Sequence, residues 1–196
     1  MTHNNQIILA IEGIDGAGKT TLIREISKAM KDNVVVYKRT EKSKFIDKVL
    51  NKIQRYHMLQ VPIYMFLSYK NYSKFKKQPT RSVVIMDRCF LSNICYFFPS
   101  ALSHENLLNF LLRFEVKLMP QIIFILDVNP TIGYARDNNK KSLQWLEATR
   151  NAYLSASKSL IGARINVEII EEGLSTTDKA QHIVKYIKEA KKNGYR

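Results

Sequence analysis

Eight consecutive residues, Gly13-Ile14-Asp15-Gly16-Ala17-Gly18-Lys19-Thr20, constrain this chain more than any other feature. They satisfy G-x-x-x-x-G-K-[ST], and they sit in the setting that pattern requires. Gln6 to Ile11 (QIILAI) is a β-branched run that stops short of Gly13. Thr20 to Met30 then carries Leu22, Ile23, Ile26, Ala29 and Met30 at helical spacing. A strand, a glycine loop and a helix in that order form an anion cradle. Glycines let successive backbone N–H groups turn inward, and the helix N-terminus adds partial positive charge. Gly13, Gly16, Ala17, Gly18, Lys19, Thr20 and Thr21 are therefore the expected ATP-binding residues. Lys19 reaches the terminal phosphates, and Thr20 offers a hydroxyl to Mg²⁺.

The remainder of the chain alternates in the same way. Val34 to Tyr37, Ser82 to Met86, Gln121 to Val128 and Ile165 to Ile170 read as four further strands. Helical patterns lie between them: around Phe45 to Ile53, Tyr64 to Phe75, Leu107 to Phe114 and Leu143 to Leu160, with a last helix carrying Ile183, Val184 and Ile187. Asn129 before Pro130 predicts an N-cap with proline at the first helical position, and Ser175 with Asp178 has capping-box spacing. Strands that read as near-continuous apolar runs are buried on both faces, as in parallel sheets. The expected fold is a three-layer α/β domain: a doubly wound sheet of five parallel strands with helices on both faces. One domain spanning 1–196, with a short lid around 136–142, accounts for the pattern.

Composition excludes several classes. With 45% hydrophobic and 24% charged residues the chain is neither disordered nor fibrous. Its uninterrupted apolar runs, such as Ile122 to Leu126, are far short of the roughly 18 residues of a membrane span. Cys89 and Cys95, the two cysteines, supply neither a disulfide framework nor a four-ligand zinc site. A cytoplasmic setting is expected. The net charge is +14, and Lys38 to Arg81 holds 12 basic against 2 acidic residues, +10 of that total. Such a stretch fits solvated helix faces, a site for a small phosphorylated anion, or a nucleic-acid surface.

A phosphate loop needs a carboxylate near its metal. Asp87 and Asp127 each end an apolar strand, and ligands in open α/β sheets bind at that edge. Asp87 is favoured because Arg88 follows it, pairing an acid with a phosphate-binding cation. Arg136, Lys140 and Lys141, beside Asn138 and Asn139, fit a mobile basic segment over the transferring phosphoryl group, or a solvated turn.

These motifs resemble the thymidylate kinase family of P-loop nucleoside-monophosphate kinases, over nearly the whole chain. Glu12 to Thr21 reads as that family's EG-x-DGAGKTT. Asp87-Arg88-Cys89, Ser92 and Cys95-Tyr96-Phe97 follow its DRY-x-x-S-x-x-AYQ, departing at Cys89, Cys95 and Phe97. Met65-Phe66-Leu67-Ser68-Tyr69-Lys70 resembles its LLF-x-x-x-R helix, with lysine in the arginine position.

The resemblance implies ATP-dependent transfer to dTMP in nucleotide biosynthesis, with Mg²⁺, and a homodimer built from helices. It implies Lys19, Asp15, Arg88 and Arg136 as catalytic residues. Asp15, Arg39, Phe66, Lys70, Arg88, Ser92 and Tyr96 would hold the acceptor, Asp15 through its 3′-hydroxyl and Arg88 through its phosphate. Thr20 and Asp87 would serve the metal. Phe66 is equally well read as core, and Phe97 replaces a glutamine that lies by the base in relatives. The lid is reduced to Arg136-Asp137-Asn138-Asn139-Lys140-Lys141, and the loop has Gly16 where some members carry arginine, so Arg136 would bear much of the charge stabilisation alone. A kinase for another deoxynucleoside monophosphate or for a deoxynucleoside, and a catalytically weak nucleotide- or nucleic-acid-binding relative, are the alternatives.

Overall fold

β-branched residues fill the centre of the molecule because a strand buried on both faces rewards side chains that pack on a pleated surface. β1 (Ile7–Gly13), β2 (Val34–Lys38), β3 (Val83–Asp87), β4 (Ile122–Leu126) and β5 (Asn166–Ile170) form one sheet in the order β2-β3-β1-β4-β5, and every pairing is parallel. The computed structural model describes residues 6–31, 34–38, 48, 52, 63, 66–67, 69–70, 83–97, 120–138, 140–162 and 165–192. Five parallel strands were expected, and five are present among the described residues. The patterns at Phe45 to Ile53 and Leu107 to Phe114 fall almost wholly outside the described residues, as does most of the basic stretch. Of Tyr64 to Phe75, residues 66, 67, 69 and 70 are described, and they are helical.

Five helices flank the sheet among the described residues: α1 (Lys19–Met30), α2 (Leu91–Phe97), α3 (Pro130–Arg136), α4 (Leu143–Gly162) and α5 (Thr176–Lys192). α1 buries Leu22, Ile23 and Ile26 and packs against α5, which buries Ala180, Ile183, Val184 and Ile187. α2 and α3 pack against α4. The expected caps form: Asn129 Oδ1 accepts from the Thr131 N–H at 3.0 Å with Pro130 inside the first turn, and Ser175 Oγ accepts from the Asp178 N–H at 3.1 Å. Among the described residues no helix is long and apolar enough to cross a membrane.

Strand order decides where a ligand can sit. β1 lies between β3 and β4, which connect away from it in opposite directions, so a crevice opens beyond the carboxyl end of β1. The glycine loop occupies that crevice. In register, Ile11 lies beside Asp87 and Gly13 beside Leu126. The Arg88 N–H extends the ladder by donating to the Ile11 carbonyl at 3.2 Å. Three sequence-distant ends, at residues 13, 87 and 126, are thereby brought to one edge.

Candidate active site

The loop begins with strain that only glycine relieves. Gly16 and Gly18 have φ of +76° and +88°, in the left-handed region. Gly18 caps α1 without any side-chain hydrogen bond, so no capping side chain occupies the first N–H groups of the helix. Asp15, Gly16, Gly18, Lys19, Thr20, Thr21, Asp87, Arg88 and Arg136 line one cavity of about 440 Å³. Those residues come from the loop, the end of β3 and the end of α3.

Lys19 is buried, and its ammonium donates to the carbonyls of Gly13 at 3.1 Å and Ile14 at 2.6 Å. Burial and the neighbouring Arg88 charge lower its pKa from 10.5 to about 7, a fall that Asp15, Glu12 and Asp87 limit. A polyphosphate beside the ammonium would favour its charged form.

Arg88 adopts φ +72°, unusual for a residue with a Cβ, and the surrounding bonds hold it there. Its guanidinium donates to Asp15 Oδ1 at 2.5 Å, to the Gly13 carbonyl at 3.0 Å and to the Tyr153 hydroxyl at 3.3 Å. It also lies 4.7 Å from the centre of the Tyr96 ring. Burial opposes this cation, but Tyr96, Tyr153, Asp15 and Glu12 outweigh the burial, and its pKa is shifted upward. Tyr96 completes the cluster by donating to Asp15 Oδ1 at 3.1 Å. Burial raises the Tyr96 hydroxyl pKa well above the ordinary value, so it remains a donor.

Beneath Arg88 lies a residue for which the motifs suggested no role. Glu12 is fully buried and accepts from the Cys89 N–H at 2.6 Å, the Ser92 hydroxyl at 2.6 Å and the Tyr153 hydroxyl at 2.9 Å. The carboxylate therefore ties β1 to the turn after β3 and to α4. Tyr153, fully buried 141 residues away, could not have been connected to Glu12 by any local pattern. Nor does periodicity announce α2: Leu91 to Cys95 are all buried, so no polar face alternates with an apolar one.

Among the remaining expected residues, Ser92 is buried in this network beneath the pocket. Asp127, just past the end of β4, is held by Arg150 in a two-pronged ion pair of 2.5 and 2.8 Å. Phe66 is 62% exposed, which rules out the core reading, and neither it nor Lys70 lines the cavity. Arg39 and the Phe97 side chain lie outside the described residues. Lys141, in the segment expected to form a lid, stands 4.9 Å from the ring centre of Trp145, which packs edge-on against Tyr96.

A family model for thymidylate kinase matches residues 11–162, from the last turn of β1 through α4. The chain belongs to the thymidylate kinase family. It is therefore an ATP-dependent phosphotransferase of the nucleoside-monophosphate kinase type. A probable thymidylate kinase of Archaeoglobus fulgidus is 28% identical over 161 residues, covering 76% of this chain and 81% of that one. The thymidylate kinase of Blochmanniella floridana is 25% identical over 170 residues, covering 80% of each. Among solved structures, deoxyadenosine kinase from M. mycoides with bound dATP superposes with a TM-score of 0.70 at 16% identity, covering 93% of this chain and 99% of that one. Thymidylate kinase from Ehrlichia chaffeensis gives 0.64 at 19% identity, covering 93% and 98%. At those identities the superpositions show a shared fold. Of the loop motif, Asp15, Gly16 and Gly18 to Thr21 line the cavity, and of the strand-edge motif Asp87 and Arg88.

Proposed function

We propose that this protein is a dTMP kinase, transferring the γ-phosphoryl group of ATP to dTMP to give dTDP and ADP. The observation that carries the proposal is the convergence of Lys19, Thr20, Asp87, Arg88, Asp15 and Arg136 on one cavity of about 440 Å³. Family membership and the names of the curated relatives support dTMP as acceptor.

Phosphoryl transfer demands positioning and charge neutralisation more than covalent chemistry. The loop N–H groups and the start of α1 would receive the ATP phosphates. Lys19 would exchange its two carbonyl partners for phosphate oxygens, gaining a proton as it does so. Arg88 would bind the acceptor phosphate, and Asp15 the 3′-hydroxyl, with Tyr96 holding the Asp15 carboxylate. An acceptor phosphate oxygen attacks the γ-phosphorus while the bond from that phosphorus to the bridging oxygen breaks, leaving ADP. Arg136 would face the charge that spreads over the moving group, with residues up to 142 forming the lid.

The donors present suit Mg²⁺: one hydroxyl and one carboxylate, both hard oxygen ligands, at Thr20 and Asp87 on the same cavity. Among the described residues no group of three His, Cys, Asp or Glu gathers. Held by Thr20 and Asp87, such an ion would supply positive charge to neutralise and orient the donor phosphates. A homodimer belongs to the same proposal and is checked by light scattering on a sizing column.

The test is a panel of nucleosides and nucleoside monophosphates with Mg·ATP, followed by chromatography of products. dTDP formed from dTMP is expected. Turnover of unphosphorylated nucleosides alone would overturn the proposal and favour a deoxynucleoside kinase.

A further inference from the structure

The midpoint of α3 rests on the phosphate loop, backbone against backbone. A Cβ placed on Gly16 would stand 2.2 Å from the Gly133 carbonyl oxygen and 2.7 Å from its Cα. A Cβ placed on Gly133 would stand 2.8 Å from the Asp15 carbonyl oxygen and 2.9 Å from Ile14 Cδ1. Neither separation is tolerable, and the first obstacle on each side is backbone, which cannot swing aside as a side chain can. Two glycines therefore fit here and two larger residues do not. For Gly16 the left-handed backbone is a second reason. Gly133 has no such reason: it is an ordinary helical residue, at a position where alanine is the better helix former. The close approach alone explains a glycine there.

Contact at Gly133 has a directional consequence. Residues three apart on a helix share a face, and Arg136 follows Gly133 by three. The face of α3 pressed on the loop is thus the face that presents Arg136, and Arg136 lines the cavity with the loop. The start of α3 is fixed too: Asn129 caps it, and the Asn129 N–H donates to Glu172 Oε2 at 3.0 Å. The last turn closes on itself, with the Asp137 N–H donating to the Gly133 carbonyl at 2.9 Å and Asn138 in the left-handed region at φ +53°. Held at its start by Glu172 and at its middle by the loop, the helix presents Arg136 to the cavity.

We propose that Gly133 is a positioning residue for the phosphoryl transfer: by seating α3 directly on Gly16, it sets the reach of Arg136 into the phosphate cavity. The same contact bars any side chain, arginine included, from position 16 while α3 stays seated. An arginine at position 16 and a seated α3 therefore exclude each other in this chain, and beside Lys19 the cavity takes its guanidinium on this side from Arg136. The inference rests on the reading of the cavity as a kinase site with Arg136 acting there.

Steady-state kinetics with Mg·ATP and dTMP on wild type, Gly133→Ala, Arg136→Ala and the double variant test it, with a thermal midpoint for each protein. Gly133→Ala is expected to lower kcat about tenfold, as a sub-ångström misplacement of a catalytic group can, while the KM for dTMP stays within about twofold. In the Arg136→Ala background the same glycine substitution is expected to change kcat less than about twofold, because two groups acting as one unit are not additive. A tenfold loss in both backgrounds overturns the inference, since the glycine would then serve the loop and not the arginine. Wild-type kcat in either single variant also overturns it.

A companion variant leaves the packed glycine intact, so its result does not depend on whether Gly133→Ala folds. Arg136→Ala with Asp137→Arg moves the guanidinium about 100° around the helix, off the seated face. It should behave as Arg136→Ala does, and recovery of wild-type kcat would refute the role of the face. A wild-type protein that phosphorylates no acceptor fails earlier and differently, removing the kinase reading and this inference with it.

Discussion

Replacing Lys19 with methionine should flatten part of the pH dependence of folding, by an amount the site geometry allows to be worked out. The ammonium is buried and bonded to two loop carbonyls, and burial with the Arg88 charge lowers its pKa to about 7. In the unfolded chain the same group titrates near 10.5. Between those values the unfolded state holds a proton that the folded state has released, so wild-type stability must rise with pH across that window. The penalty of the buried charge is fully present below pH 7 and is relieved as pH climbs toward the unfolded value. The slope approaches about 1.4 kcal/mol per pH unit. From pH 7.0 to 8.5, starting half-protonated, the integrated gain is about 2 kcal/mol. Methionine has similar length and no titration, so its variant lacks this contribution. The carbonyls it abandons keep other donors: Arg88 on Gly13 and the Ala17 N–H on Ile14. Urea denaturation of both proteins without nucleotide, at the two pH values, gives the comparison. Wild type should gain about 2 kcal/mol more than Lys19→Met over that interval, with equal m-values. Parallel changes in the two proteins would refute the account of Lys19. Transfer should be abolished in the variant at either pH.

The remaining predictions follow from other groups at the site. Calorimetry of Mg·ATP binding in buffers of different ionisation enthalpy should show proton uptake of about 0.9 per site at pH 8, absent in Lys19→Met, because the phosphates restore the Lys19 charge; equal uptake in both proteins would count against it. Arg88→Ala should raise the KM for dTMP at least about tenfold while that for ATP stays within threefold, as loss of a bidentate phosphate cation requires; a selective loss of ATP affinity would mean the two nucleotide sites had been exchanged. Asp87→Asn should lower kcat about a hundredfold or more and Asp127→Asn less than threefold, since Asp127 is engaged by Arg150 and Asp87 lines the cavity; the reverse order would move the metal role to Asp127. Glu12→Ala should destabilise the fold by about 3 kcal/mol in urea titrations, because three donors lose their buried acceptor; a change below about 1 kcal/mol would deny Glu12 its part in holding the Arg88 turn.

What could be read along the chain was whatever depends on local order. The glycine loop is legible because its function is written in neighbouring residues: a strand, a left-handed turn, a lysine and a helix start must follow one another. Asp87 could be preferred over Asp127 because an arginine follows it in the chain, whereas the Asp127–Arg150 pair spans 23 residues and has no local signal. The five strands, the Asn129 cap and the Ser175 cap were legible for the same reason, since periodicity and capping act within a few residues.

Tertiary structure decided everything that depends on two distant segments meeting. Glu12 looks like one more strand residue until Ser92 and Tyr153 arrive 80 and 141 positions later and make it the support of Arg88. Phe66 has a sequence setting that suits a core, yet it is exposed, because side-chain burial belongs to the packing around a helix and not to the helix itself. Gly133 carries no signal at all in its own neighbourhood. Its meaning lies in a 2.2 Å exclusion against Gly16, 117 residues earlier, because steric contact is set by where the sheet order brings two backbones together.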